Sequence, residues 1–329
     1  MTKQMKMGKM WIAAAIGIIV LAAGAAFWKL RTPSPLPTLP AEARAALHAV
    51  PLAGPTEGMS IYHLGHSLVG PNIPAFTQQL AEAAGFTGAA YNSQLGWGTS
   101  LYDHWEPART INGFAEMNDS PAHAPARQAL ESGAYDAFVF TEMVDLKDAI
   151  RWHQSGLHAG LWTKLARQHR PDIRVYLYET WHPTDIADGW LSRIDTDLPE
   201  LWDGTILAQA MAMPEAGTIH LIPAGQAMAA FVRALEAQGG LPGLADRHGL
   251  FALRDDGTVD NIHPNDIGGY LVALVHFATL YHADPRGLPH TLLRADGTAA
   301  DAPSPEVAAL MQQVAWDVVR ALPQTGVAR

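Results

Sequence analysis

Two short segments hold the side-chain types that acyl transfer needs. In Gly65-His66-Ser67-Leu68 a serine follows a glycine at the end of an apolar run. A strand-to-helix turn there projects the hydroxyl from a sheet edge, beside a helix N-terminus that favours negative charge. In Asp260-Asn261-Ile262-His263-Pro264 an acidic residue stands three positions before a histidine. That spacing lets the carboxylate orient the imidazole and stabilise its protonated form. Each segment alone also reads as a helix cap. Together they offer a candidate nucleophile, Ser67, a candidate general base, His263, and a candidate orienting acid, Asp260. His263 would remove the Ser67 proton as the hydroxyl attacks an ester carbonyl, and water would then hydrolyse the acyl-serine. The serine is not in a G-x-S-x-G elbow, because Val69 stands where the second glycine belongs.

Rival chemistries find less support. His63-x-x-His66 has ligand-like spacing, but side chains alternate along a strand and these two point to opposite faces. No H-E-x-x-H or comparable set of three convergent ligands occurs. The absence of cysteine excludes a thiolate metal site, a cysteine nucleophile and a disulfide framework. The expectation is therefore chemistry without metal or cofactor.

The elements that must position these residues alternate in type. Strand-like apolar runs lie at Ser60–Leu64, Ala89–Asn92, Ala137–Phe140, Arg174–Tyr178 and Thr218–Ile222. Between and after them, Ile73–Ala84, Leu146–His169, Leu198–Met213, Gln226–Ala237 and Asn265–His282 carry apolar residues at helical spacing. Such alternation predicts a three-layer α/β/α fold with a mostly parallel central sheet and a site at the carboxyl ends of its strands.

A serine after the first strand and a D-x-x-H before the last helix of an α/β chain resemble the SGNH, or GDSL-type, hydrolase superfamily, from about Ser60 to about Leu288. The resemblance implies a flavodoxin-like fold and a Ser67-His263-Asp260 triad. It also implies an oxyanion hole made by the N–H groups of Ser67 and of a glycine after the second strand. Gly98 is the first choice and Gly96 the second, within a Gly98, Ser100, Leu101, His104, Trp105 pattern found in a subset of these enzymes. The superfamily asparagine after the third strand is replaced by Thr141-Glu142-Met143. Thr141 offers a hydroxyl as third donor, whereas an ionised Glu142 only accepts. His66 stands where the superfamily has an aspartate that is not the triad acid. Paired glycines at Gly268 and Gly269 would let the last helix approach neighbouring backbone closely. Trp97, Glu142, Trp181 and His182 are candidate substrate contacts, with Trp97 able to stack on a sugar face. The implied activity is a serine esterase acting on an O-acyl or O-acetyl group of a carbohydrate or small molecule. The alternatives are an O-acyltransferase on an envelope glycan and a catalytically decayed carbohydrate-binding protein.

Composition narrows partners and compartment. Of 329 residues, 22 are Lys or Arg and 32 are Asp or Glu, for a net charge of -10, and the only lysine cluster is at the N-terminus. Nucleic acid is therefore excluded as a partner. Lys3, Lys6 and Lys9 precede an apolar run from Met10 to Trp28, followed by Lys29 and Arg31. Its length matches the roughly 20 residues that cross a bilayer, which predicts a membrane anchor over residues 1–31 or a cleaved signal. The body would then lie outside the cytoplasm, anchored to the inner membrane and periplasmic if the segment is retained, or secreted if it is cleaved. Six prolines between Pro33 and Pro55 predict a stiff linker over 32–58, leaving 59–329 as one catalytic domain.

Overall fold

Period-two alternation builds the centre of the molecule. In the computed structural model, which describes residues 36–329, five strands form a parallel sheet. They are β1 (Ser60–His66), β2 (Ala90–Gly96), β3 (Ala137–Phe140), β4 (Arg174–Glu179) and β5 (His220–Pro223), in the order β2-β1-β3-β4-β5. Successive strand residues feed two separate cores. Ile61, Val139 and Tyr176 enter one, while Tyr62, Phe138 and Leu177 enter the other. Because both faces are covered, the strands read as near-continuous apolar runs.

The covering helices are α1 (Ala41–Leu47), α2 (Asn72–Ala83), α3 (Leu101–Trp105), α4 (Phe114–Met117), α5 (Ala126–Glu131), α6 (Leu146–His153), α7 (Ser155–His169), α8 (Trp190–Asp197), α9 (Ala208–Ala210), α10 (Ala224–Ala237), α11 (Asp266–Tyr281) and α12 (Pro305–Ala321). Phe76 of α2, Phe231 of α10, Leu274 of α11 and Met311 of α12 pack into the first core. Leu130 of α5 and Trp162 of α7 pack into the second. The result is the expected three-layer α/β/α arrangement. At Gly268 a Cβ would sit 2.3 Å from the Leu250 carbonyl oxygen, so α11 does approach neighbouring backbone closely there.

Several elements depart from the sequence expectations. The long helix expected over Leu146–His169 is broken at Gln154, whose φ of 52° ends α6 and starts α7. Residues expected as a helix over Leu198–Met213 form a ten-residue π-helical stretch, Leu198–Leu207, followed by the short α9. The proline-rich segment read as a linker contains α1, docked through an ion pair between Arg44 and Asp203 at 3.0 Å and by the buried His48, whose Nε2 lies 3.0 Å from the Ile219 carbonyl oxygen. Prolines that bracket a helix do not prevent it, since Pro is tolerated at helix starts. An antiparallel hairpin of β6 (Phe251–Leu253) and β7 (Val259–Pro264) was not anticipated, nor was α12. The expected membrane segment lies outside the described residues. Among the described residues no helix is long and apolar enough to cross a bilayer.

Candidate active site

Strand register brings the ends of β1, β2 and β3 together. His66 pairs with Gly96, and Leu64 pairs with Phe140. Ser67 therefore emerges between the Trp97–Ser100 loop on one side and Thr141 on the other. The Ser67 turn is closed by hydrogen bonds from the N–H of Val69 to the His66 carbonyl (2.9 Å) and from the N–H of Leu68 to His66 Nδ1 (3.3 Å). Helix α2 begins only at Asn72, so Ser67 is not its cap.

The hairpin delivers the partners. His263 Nε2 lies 2.9 Å from Ser67 Oγ, and His263 Nδ1 lies 3.1 Å from Asp260 Oδ2. With the ring proton on Nδ1, the imidazole donates to Asp260 and accepts from the serine. Asp260 Oδ1 accepts from the N–H groups of Ile262 (2.8 Å) and His263 (2.9 Å). Burial pushes the Asp260 carboxyl upward, but these bonds, the backbone one from His263 foremost, outweigh it and bring the group down to about 2. The acid is thus an anion at any pH where the histidine works. Ser67 is half-buried, and the His263 side chain is 45 % exposed, so substrate reaches both.

The surrounding residues fall into two groups. Gly98 is exposed, with a φ of +57° and open space where a Cβ would stand. Among the described residues, no hydrogen bond uses the N–H of Ser67 or of Gly98. Trp97, beside it, is 51 % exposed. Thr141 lies against β1, where a Cβ on Gly65 would come within 2.6 Å of Thr141 Cγ2. Its hydroxyl has only a long contact, 3.5 Å, to the Glu142 carbonyl oxygen.

Glu142, Trp181 and His182 are corrected as substrate contacts, because all three are buried and bonded internally. Glu142 Oε1 accepts from the N–H of Met143 (2.8 Å) and of Leu101 at the start of α3 (3.3 Å). Trp181 Nε1 donates to the Ile262 carbonyl at 3.0 Å, holding the backbone one residue before His263. His182 Nε2 lies 2.5 Å from Asp197, which Arg193 also binds. A position at the carboxyl end of a strand is shared by residues that line a site and residues that brace it, and only burial separates them.

A buried polar layer beneath Ser67 was also missed. His66 Nε2 donates to the Glu142 carbonyl at 2.9 Å, and His104 Nε2 donates to the Gly65 carbonyl at 2.9 Å while its Nδ1 accepts from Gln94. Burial lowers both imidazoles to about 4, so each is neutral with a defined donor and acceptor. The His104 of the Gly98-to-Trp105 pattern was the available signal. Its role needed β1 beside it to be visible.

Burial raises the Glu142 carboxyl to about 7, against the hydrogen bonds that favour its charge. Oε2 has no bond of good geometry, and neither does Ser155 Oγ, the hydroxyl next to it. A carboxyl raised above its unfolded value costs nothing when both states are protonated, and it destabilises the fold as pH rises from about 4.5 to 7. Glu142→Gln keeps the acceptor and adds a donor toward Ser155. The expected result is a variant more stable than the parent at pH 8, by up to about 3 kcal/mol, with the difference shrinking toward pH 5. Denaturant midpoints at the two pH values check it, and a pH-independent difference would discard the burial account.

No family model matches the chain, and no curated protein matches it. Solved structures do. A DUF4886 family protein from Bacteroides uniformis ATCC 8492 is 16% identical with a TM-score of 0.50, covering 80% of this chain and 95% of that one. A protein named as a GDSL-like lipase, from Parabacteroides merdae ATCC 43184, is 14% identical with a TM-score of 0.42, covering 69% and 96%. A carbohydrate esterase family 2 enzyme from Corynascus thermopiles is 12% identical with a TM-score of 0.36, covering 70% and 68%. At these identities the likeness is one of fold.

Proposed function

We propose that the chain is a serine ester hydrolase of the SGNH, or GDSL-like, type. The observation that carries this reading is the continuous hydrogen-bonded path from Ser67 Oγ through His263 to Asp260, at 2.9 and 3.1 Å. His263 takes the serine proton as Oγ attacks the ester carbonyl, and returns it to the leaving alcohol. Asp260, held ionised, stabilises the imidazolium between those steps. The undonated N–H groups of Ser67 and Gly98 serve the tetrahedral oxyanion, with the Thr141 hydroxyl as third donor. Water then attacks the acyl-serine and regenerates the enzyme.

The exposed Trp97 indole next to Gly98 suits the face of a sugar, so an O-acylated carbohydrate is the proposed alcohol half. With residues 1–31 as a membrane anchor, the domain would work outside the cytoplasm on envelope or scavenged glycans. Labelling with a serine-directed phosphonate tests the core of the reading. A single adduct on Ser67 is expected, whereas a binding relic would stay unmodified. Thr141→Val is expected to lower kcat by roughly 100-fold, the effect of losing one oxyanion donor. Unchanged kinetics would remove Thr141 from the hole.

A further inference from the structure

A half-open cavity of about 170 Å³ lies beside the proposed nucleophile, bordered by Ser67 and His263 and by the N-terminal turns of α2 and α11. Val69, Ile73, Phe76, Pro264 and Gly269 give the lining its apolar part, and Asn72, Asn265 and Asp266 its polar part. The Phe76 ring lies 3.5 Å from where a Cβ on Gly269 would stand, and Ile73 lies 4.0 Å from it, so ring and helix backbone meet and close the floor. Most of the polar atoms in the lining are engaged elsewhere. Asn72 Oδ1 accepts from the Ala295 N–H (3.1 Å), and Asn265 accepts from the Gly268 N–H and donates to the Gly249 carbonyl. Asp266 is paired with Arg294. The Asn72 amide nitrogen keeps no partner among the described residues, so the cavity has one polar edge, and Asp266 opposes an acidic chain.

Resting on the esterase reading above, we propose that this cavity is the acyl pocket, that it takes a short unbranched alkanoyl group, and that Phe76 and Gly269 set the chain length. Size decides which half of the ester enters. At roughly 30 Å³ for each methylene, a water's share of liquid volume, the space suits a chain of about four carbons with its carbonyl. The alcohol half belongs on the opposite, open side, where Trp97 and Gly98 are exposed and neither borders the cavity. Gly269 matters because α11 can pass this close to Phe76 while leaving the space above the ring empty.

Aryl esters of two, four, six and eight acyl carbons, assayed with the purified full-length chain, test the proposal. The expected kcat/KM is similar for two and four carbons and at least about 100-fold lower for eight. Phe76→Leu and Phe76→Ala are expected to raise the eight-to-two ratio about tenfold or more. Gly269→Ala, a change that a helix interior favours, is expected to lower the four-to-two ratio instead. It remains informative if the Phe76 variants do not fold. Equal rates on eight and two carbons in the parent, or unchanged ratios in every folded variant, would overturn the pocket assignment while leaving the esterase reading in place. Absence of both ester hydrolysis and a phosphonate adduct on Ser67 would overturn the esterase reading and the pocket with it.

Discussion

Ser67→Ala is expected to lower turnover of a short-chain aryl ester by at least about 10⁴-fold, with the melting transition of the folded domain unchanged. The hydroxyl is the only group on the Ser67 side chain, and its one recorded partner is His263 Nε2 at 2.9 Å. Removing it deletes the nucleophile without opening a cavity, because the residue is half-buried at the mouth of the site. What survives is the contribution of the oxyanion donors and of binding, which in such sites is modest beside the loss. The measurement is kcat together with intact-mass detection of an acyl adduct under saturating ester. A variant that still turns over within tenfold of the parent would show that another group attacks the carbonyl.

Asp260→Asn carries the second large effect, and its cause is tautomer control. Asp260 Oδ1 is held by two backbone N–H groups, from Ile262 and His263, so an asparagine keeps its carbonyl oxygen there. Its amide nitrogen then faces His263 Nδ1, where Asp260 Oδ2 stood at 3.1 Å. A donor facing Nδ1 forces the ring proton onto Nε2, the atom that must accept from Ser67. The base is thus lost while the geometry is kept, and a fall of about 10⁴-fold in kcat is expected. The carboxylate's low value, about 2, also keeps its protonation out of any activity change above pH 4. For a group held below its unfolded value, the stabilisation is present above about pH 3.8 and is lost only as pH falls toward 2. Kinetics of the variant with an unaltered fold decide the matter. A loss of less than tenfold would mean that Asp260 does not set the tautomer.

Much of this site is legible in one dimension because its logic is local. The three-position step from Asp260 to His263 is spanned by a single turn of backbone, whose own N–H groups bind the carboxylate. The strand ending at His66 is written largely in an apolar run, whereas β2 carries Asn92, Ser93 and Gln94 before the exposed Trp97 and Gly98 that follow it. Other residues misled for an equally physical reason. Glu142, Trp181 and His182 follow strand ends just as Gly98 does, but the chain folds back over them. Trp181 ends as a brace on Ile262, Glu142 as an anchor for the start of α3, and His182 as the partner of Asp197. Long-range burial decides between lining and bracing, and no local spacing encodes it. The break at Gln154 and the π-helical stretch at Leu198–Leu207 were hidden in the same way, since apolar periodicity continues across both.

By itself, the amino-acid sequence determined the layered α/β class and the exclusion of cysteine chemistry, and it offered the residues proposed as nucleophile, base and acid. Each follows from residue type or from spacing within one turn or one strand. Only the tertiary structure decided that Ser67 and His263, 196 positions apart, meet at 2.9 Å, and that Phe76 and α11 enclose a pocket beside them. Those outcomes depend on strand order and on the hairpin of β6 and β7. They arise from packing between segments distant in the chain, where the free energy of burial, not local propensity, selects the arrangement.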